Sequence, residues 1–350
     1  MDFRGARILV VGGAGFVGAN LCHRLLKDGP ERVIVVDNLL SADIANLPQV
    51  PEIDFRLGSI ADPRILAGLP ENIDYVFHLS TYHGNQSSIH DPIADHANNL
   101  LTTLMLCERL KDFSGLKAVV YSSAGCTVAK KTYEDSPATA EDAPVSLYHD
   151  SPYQISKIVG EFYGNYYFLR HKLPFIKARF QNVYGPREIL GAGQWRGTPA
   201  SVWRNVTPTF VWKALNGQEL PLENGGVATR DFIFVEDIVE GLMACALKGK
   251  AGEVYNLASG VETSIRELAE TIIRLTGDAA SIAAAPARPW DRSGKRHGDT
   301  SKAESELGFH AKIDLEEGLR RTIAWTRENR EAIAFSMLRH RLFMPELASI

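Results

Sequence analysis

Residues 7–18 read Arg7-Ile8-Leu9-Val10-Val11-Gly12-Gly13-Ala14-Gly15-Phe16-Val17-Gly18. A β-branched apolar run ends in glycines, and a helical pattern through Leu21, Leu25 and Leu26 follows at once. Strand, tight turn and helix in that order bring a helix N-terminus to the turn. Glycines there let the backbone approach an anion, and the unpaired N–H groups and dipole of the helix favour a pyrophosphate. The spacing is G-x-x-G-x-x-G from Gly12 and G-x-G-x-x-G from Gly13, so it does not choose between short-chain and classical dinucleotide enzymes. A glycine turn that merely packs a strand on a helix is the plainer alternative. Asp37 closes the next apolar run, Val33-Ile34-Val35-Val36, 19 residues after Gly18. A carboxylate there accepts from both ribose hydroxyls of adenosine and repels a 2′-phosphate, which favours NAD over NADP.

Outward from this loop the pattern alternates. Strands are expected at Arg7–Val11, Arg32–Val36, Asp54–Leu57, Tyr75–Leu79, Lys117–Ser122 and Phe175–Phe180, with helical patterns at 16–28, 92–111 and 153–171. Runs apolar on both faces belong to parallel strands covered by helices, so the fold class is α/β, a Rossmann-type doubly wound parallel sheet. Beyond Gly185 the rhythm loosens. The segment 188–208, rich in Gly, Trp, Arg and Thr, reads as a ligand-covering loop. One more strand is expected at Glu253–Ser259, and helices at 264–276 and 314–330. The expected division is a mainly NAD-binding part over 1–185 and a smaller C-terminal substrate-binding lobe over 186–330, its segments interleaving with the sheet near 230–260. Residues 331–350 form an extension without a readable pattern.

Composition excludes several other classes. The chain has 350 residues, 45% hydrophobic and 23% charged, and a net charge of −4 from 38 basic and 42 acidic residues. It lacks the basic stripe of a nucleic-acid binder. No apolar run approaches the ~18 residues of a membrane span. Arg4 and Arg7 before Ile8–Val11 resemble the start of a signal peptide, but the glycines break that run. Cys22, Cys107, Cys126 and Cys245 are far apart and form no C-x-x-C pair, so they read as free thiols of a reducing cytoplasm, and no metal site is expected.

The segment Ser151-Pro152-Tyr153-Gln154-Ile155-Ser156-Lys157 carries the chemistry. Ser151 is a good N-cap and Pro152 suits the first helical position, so a helix starts here. Tyr153 and Lys157, at i and i+4, then share a face. An ammonium beside a phenol stabilises the phenolate and makes tyrosine a usable general base or acid. The pair alone occurs on many exposed helices. Following a nucleotide loop, and following Ser122-Ser123 at the end of a strand, it becomes specific.

These residues together identify a resemblance to the extended short-chain dehydrogenase/reductases, in particular the nucleotide-sugar epimerases and dehydratases such as UDP-galactose 4-epimerase. It spans about residues 6–328. Besides the glycine loop it rests on Tyr75-Val76-Phe77-His78-Leu79-Ser80, Tyr121-Ser122-Ser123-Ala124 and Ser151 through Lys157. It rests further on Arg179 through Arg187, Thr229-Arg230-Asp231-Phe232-Ile233 and Tyr255 through Gly260. Tyr82-His83-Gly84-Asn85-Gln86-Ser87-Ser88 is similar to the WbmF-type enzymes of bacterial lipopolysaccharide O-antigen loci.

By position the resemblance implies a catalytic set of Ser123, Tyr153 and Lys157, with Ser122 or Thr127 taking the place of Ser123 if the register slips. It implies NAD contacts at Gly12, Gly15, Phe16, Val17, Gly18, Asp37, Asn38, Ser59, Ile60, Leu79, Ser80, Thr81, Asn99, Ser122, Tyr153 and Lys157. Substrate contacts are implied at His83, Ser88, Ser123, Asn182, Asn205, Val206, Arg230 and Arg288; Arg forks and amide donors suit a diphosphate. Gln194, Trp195, Arg196 and Thr198 are expected to cover the sugar, with Arg196 or Arg204 available to a carboxylate or a phosphate. A homodimer through the helices near 92–111 and 153–171 is implied as well.

Three departures bear on the reaction. Gly58 is followed by Ser59 and Ile60, where the family often has an acid for adenine. Ala124-Gly125 stand where 4,6-dehydratases carry an Asp-Glu pair and decarboxylases a nearby Glu. Cys126 falls one residue after the carbon acid/base cysteine of related 3,5-epimerases, and His83 is close to the sugar position. The expected function is therefore an NAD-dependent epimerase of a UDP-hexose, UDP-hexuronate or UDP-N-acetyl sugar, inverting C4 through a transient 4-keto sugar. Epimerisation at C3 or C5 by Cys126 or His83, a dehydratase with displaced acids, and a sensor without turnover are the alternatives.

Overall fold

The computed structural model describes residues 2–349, apart from 83, 131, 136, 278 and 290–293. Six strands build most of the central sheet: β1 (Arg7–Val11), β2 (Arg32–Asp37), β3 (Ile53–Leu57), β4 (Tyr75–His78), β5 (Ala118–Ala124) and β6 (Phe175–Phe180). Between them run α1 (Phe16–Leu25), α2 (Pro63–Ala67), α3 (Asn85–His90), α4 (Pro92–Asp95), α5 (Leu101–Leu110) and α6 (Pro152–His171). The helix expected over 92–111 comes in two pieces joined by a wide π-type turn at His96–Leu100.

The second half adds β7 (Asn182–Tyr184), α7 (Ala200–Trp203), α8 (Val206–Leu215), β8 (Leu220–Glu223), β9 (Thr229–Phe234) and α9 (Val235–Lys248). After these come β10 (Val254–Leu257), β11 (Glu262–Ser264), α10 (Ile265–Thr276), β12 (Ile282–Ala285), α11 (Leu315–Glu328) and α12 (Arg330–Leu338). β10 returns to the large sheet, whose order is β3-β2-β1-β4-β5-β6-β10. Every pairing in it is parallel. The order reverses between β1 and β4, and ligands of open α/β sheets bind at such a switch point. Two small sheets, β11-β9-β7 and β12-β8, carry the other lobe.

Both faces of the sheet are dry. Ile8, Val10, Val33, Val35, Phe77 and Val120 pack under Leu21 and Leu25 of α1 and Ile238 and Leu242 of α9. Leu9, Val11, Ile34, Val36, Val76 and Val119 pack under Leu106 and Leu110 of α5 and Tyr167 of α6. This two-sided burial is why the strand sequences read as continuous apolar runs rather than alternations. The unread extension also has a place. α12 and the turn after it insert Ile333, Met337, Met344 and Leu347 against Leu190, Val202 and Trp212. No helix among the described residues is long and apolar enough to cross a membrane.

α6 lies unusually close to the sheet. A Cβ on Gly160 would stand 2.3 Å from the Tyr121 hydroxyl, and one on Gly164 would stand 2.1 Å from the Phe175 ring. The two glycines, one turn apart, let the helix axis sink onto β5 and β6. Gly160→Ala should therefore cost about 1–3 kcal/mol in urea denaturation, the usual cost of overpacking. Turnover should fall with it as the helix is pushed out.

Candidate functional site

One cavity of about 840 Å³ runs along the carboxyl ends of β1, β2, β4 and β5 and on between α8, β8 and the start of β9. Its first half is built from the glycine loop. Gly12 has φ +81°, and a Cβ there would stand 2.6 Å from the Ser80 backbone nitrogen, so this turn requires glycine. Gly15 is the N-cap of α1 and offers no side-chain cap, and the first turn holds no acid. Its donors are left open to an anion. Asp37, ending β2, accepts the N–H groups of Ala14 at 3.0 Å and Leu39 at 2.8 Å. Burial raises its carboxyl above the usual range while those N–H groups pull it down. Thr81 Oγ1 is buried on the same wall without a partner among the described residues. An open helix N-terminus, a carboxylate at the ribose position and a waiting hydroxyl fit a dinucleotide.

The expected cofactor contacts gather here. Gly12, Gly15, Phe16, Val17, Gly18, Asp37, Asn38, Ser59, Ile60, Leu79, Ser80, Thr81, Ser122, Tyr153 and Lys157 all line the cavity. Asn99 does not. It is buried in the π-type turn, donating to Asp95 Oδ1 at 2.6 Å and accepting the Tyr82 N–H at 2.6 Å. It fixes the segment that carries Thr81 instead of facing the cavity.

The residues expected to carry the chemistry sit where α6 begins. Ser151 caps it, accepting the Gln154 N–H. Tyr153 lies on the cavity wall with Lys157 one turn on, the Lys157 Nζ 5.9 Å from the centre of the Tyr153 ring. Lys157 Nζ donates to the Ser122 carbonyl at 2.8 Å. Burial lowers the ammonium to about 8, with Asp95 and Cys126 pulling it back up. Burial also drives the Tyr153 phenol above its ordinary value, and Arg296 opposes this. A phenolate here depends on cations placed beside it.

The hydroxyl expected to work with Tyr153 is engaged elsewhere. Ser123 reaches the wall, but its Oγ donates to Glu161 Oε1 at 2.5 Å. Glu161 is in turn bound at both oxygens by Arg179, at 2.8 Å each. Strand alternation explains the outcome: Tyr121 and Ser123 point to the face that α6 covers, and Ser122 to the other. Ser122 donates to the His78 carbonyl at 3.0 Å. Thr127 is buried, donates to the Ala124 carbonyl at 2.7 Å and is not on the wall. Cys126, half-buried, also lines the wall.

Of the expected substrate contacts, Asn182, Asn205, Val206, Arg230 and Arg288 line the cavity. Arg230 is anchored through Nη1 to the Thr229 and Gly294 carbonyls at 2.7 and 2.8 Å. Arg288 pairs with Glu223 at 2.6 Å. Ser88 is not brought to the site: it is fully buried and donates to the Asn85 carbonyl at 2.8 Å. His83 lies outside the described residues. The covering loop also differs from expectation. Pro199, Ala200, Trp203 and Arg204 face the cavity, whereas Gln194, Trp195, Arg196 and Thr198 do not. Trp195 stacks flat on Phe343 of the extension at 5.0 Å, and Arg196 lies 5.3 Å over the Tyr82 ring.

Sequence reasoning missed Arg296, Glu188 and Glu223 on this wall. None belongs to a short motif. Glu188 comes two residues after Pro186, and a charged pair, Arg187-Glu188, behind a turn-forming Gly-Pro was the signal available.

Residues 8–258 match the NAD dependent epimerase/dehydratase family, and the chain belongs to it. A UDP-glucose 4-epimerase of Mycolicibacterium smegmatis is 32% identical over 327 residues, 92% of this chain and 98% of that one. A dTDP-glucose 4,6-dehydratase of Actinoplanes sp. is 30% identical over 342 residues, 93% and 98% of the two chains. The crystal structure of the Bordetella bronchiseptica enzyme WbmF in complex with NAD+ is 56% identical with a TM-score of 0.88, covering 99% of both chains. WbmF has also been crystallised with NAD+ and UDP, again at a TM-score of 0.88.

The lowered Lys157 gives a pH test. From about pH 8 to the ordinary value of 10.5 the unfolded chain binds this proton and the folded one has lost it. Stability contributed by this group therefore rises with pH across that window. Lys157→Met removes the effect, so its stability relative to wild type should decline from pH 7 to pH 10 in urea titrations. A pH-independent difference would mean the ammonium is not desolvated.

Proposed function

We propose that this member of the NAD-dependent epimerase/dehydratase family interconverts C4 epimers of a nucleotide-activated hexose, hexuronate or N-acetyl sugar, UDP being the favoured nucleotide. One observation carries the reading: Tyr153 and Lys157 stand on the cavity wall next to the glycine loop, and among the described residues no carboxyl group of β5 or α6 lines that wall, Glu161 lying behind Ser123. Among the described residues the acids on the wall are Asp37, Glu188, Glu223 and Glu346. The first three are committed to the glycine loop, to Asn205 and to Arg288. A 4,6-dehydration needs an acid for the leaving hydroxyl, and among the described residues β5 and α6 bring none to the wall where Tyr153 stands.

Residues 1–185 mainly hold NAD and residues 186–330 mainly the nucleotide sugar. Bound NAD supplies reversible acceptance of hydride from C4 of the sugar. Tyr153 takes the proton of the C4 hydroxyl and later returns it. Lys157 supports the phenolate electrostatically, and its bond to the Ser122 carbonyl keeps it in place. Asn182, Asn205, Val206, Arg230 and Arg288 hold the diphosphate and nucleoside while the 4-keto sugar turns and offers its other face. Positioning and the supported phenol are the protein's contribution.

A second reading has its own observation. Ser123 is held by Glu161, while Cys126 lines the same cavity as Tyr153 and Lys157. A thiol there is placed to exchange a proton at C3 or C5 of the transient ketone. The likeness to WbmF-type enzymes makes sugar supply for a lipopolysaccharide O-antigen, in the cytoplasm, the fitting context for either reading.

We also propose a homodimer. Ile155, Phe162, Tyr166 and Leu169 make an exposed apolar stripe along α6, and Leu101 adds to it from α5. Such a stripe on a soluble chain marks a contact surface. Phe162→Glu should convert the dimer to a monomer in light scattering.

UDP-sugars incubated with the purified protein in deuterated water, without added NAD, test the reaction by proton NMR. A C4 epimer free of deuterium supports internal hydride return. Deuterium at C3 or C5 overturns it in favour of the second reading. Tyr153→Phe should lower turnover by about 10²–10⁴-fold while the purified variant still carries NAD.

A further inference from the structure

α8 starts at Asn205 without being capped by it. Asparagine is among the strongest N-cap residues because its side-chain oxygen takes an N–H of the first turn. Here Asn205 has the extended backbone of an N-cap, φ −108° and ψ 163°, yet makes no capping bond. Its amide donates to Glu188 Oε1 at 2.5 Å instead. Pro208 is the third residue of the helix and has no N–H, so the first turn's donors are those of Val206 and Thr207. Asn205 and Val206 are both on the cavity wall. A ten-residue helix thus opens on the cavity with its strongest natural cap turned away.

Glu188 is itself an incomplete group. It is 4% exposed and lines the cavity, and its Oε2 has no partner among the described residues. Buried polar atoms are almost always paired, and a bare one on a cavity wall is where a ligand completes the set. Arg204 is the charge that faces it, but Arg204 spends Nη2 on the Ser41 and Ala192 carbonyls. Burial pushes the Glu188 carboxyl up to about 7, against the pull of Arg204 and Asn205. Near neutral pH the acid keeps much of its proton and can stand beside a diphosphate without adding a full negative charge.

We propose that Glu188 is a positioning residue for the diphosphate of the substrate: it holds the Asn205 amide off α8, leaving the helix's first N–H groups and the Asn205 side chain to the ligand. The role deepens the nucleotide-sugar reading above and stands on it. With the proton on Oε2, Glu188 also has a donor for a phosphate oxygen. Glutamine can reproduce both features, since its carbonyl accepts from Asn205 and its amide donates. Alanine reproduces neither, and frees Asn205 to cap α8 in competition with the ligand.

Calorimetric titration of the NAD-bound protein with UDP tests this. Glu188→Gln should bind UDP within about threefold of wild type. Glu188→Ala should bind about tenfold more weakly, the equivalent of one N-cap side chain competing for the helix. In an Asn205→Ala background, Glu188→Ala should add little, because the two residues act as one unit. In turnover the loss should fall on KM with kcat little changed, since the diphosphate is remote from the reacting carbon. If Glu188→Ala does not fold, Asn205→Ser, a strong cap too short to reach Glu188, should show the same weakening. Wild-type UDP affinity in Glu188→Ala, or an undiminished effect in the Asn205→Ala background, overturns the role of Glu188 alone. A wild-type protein that does not bind UDP overturns the nucleotide-sugar reading beneath it.

Discussion

The arrangement rests on how tightly α6 is held to β5 and β6. Gly160 and Gly164 remove the side chains that would keep the helix away, and the Glu161–Arg179 pair fastens it. Both partners of that pair are about 95% buried, so each charge is sustained by the other, Glu161 also by Ser123 and Arg179 also by the Glu141 carbonyl. Tyr153 and Lys157 precede Glu161 on the same helix by two turns and one. Their position over the cavity is therefore set by contacts farther along the helix than the site itself. Ser123, which reaches the cavity wall, is thus also part of this fastening.

Much of the fold was legible because its strongest signals are local. Continuous apolar runs such as Val33–Val36 can only be strands covered on both faces, and the glycine loop, the Asp37 terminus and the Ser151-Pro152 helix start each carry their own physical reason. Elements of the second lobe were harder. β7, β8, β11 and β12 have three or four residues each, too short to show a period, and their pairing is non-local. The extension was unreadable because α12 has no partner in its own sequence; its apolar residues match a surface more than 120 residues upstream, around Leu190 and Trp212.

The site was legible as a set of positions more than as a set of contacts. Fifteen of the sixteen expected cofactor positions reach the cavity wall, with Asn99 behind it. Which way a side chain turns depends on neighbours that spacing does not reveal. Ser123 is captured by an acid 38 residues away, Ser88 by its own turn, and Trp195 by Phe343. Loop residues were the least predictable, because the segment 188–204 takes its shape from the extension rather than from its own sequence.

That last dependence makes the covering loop and the chain's final helix one cooperative piece. His340 Nε2 bonds the Gly191 carbonyl at 2.8 Å, the Gly191 backbone lies against Met337, and Gln194 N–H in turn reaches the Leu40 carbonyl at 3.0 Å. Residues that share so many contacts open and close together. Amides around 190–194 and 333–347 should accordingly exchange with solvent as a single slow class. Opening of the loop over the cavity would then require the undocking of α12, none of whose own residues line it.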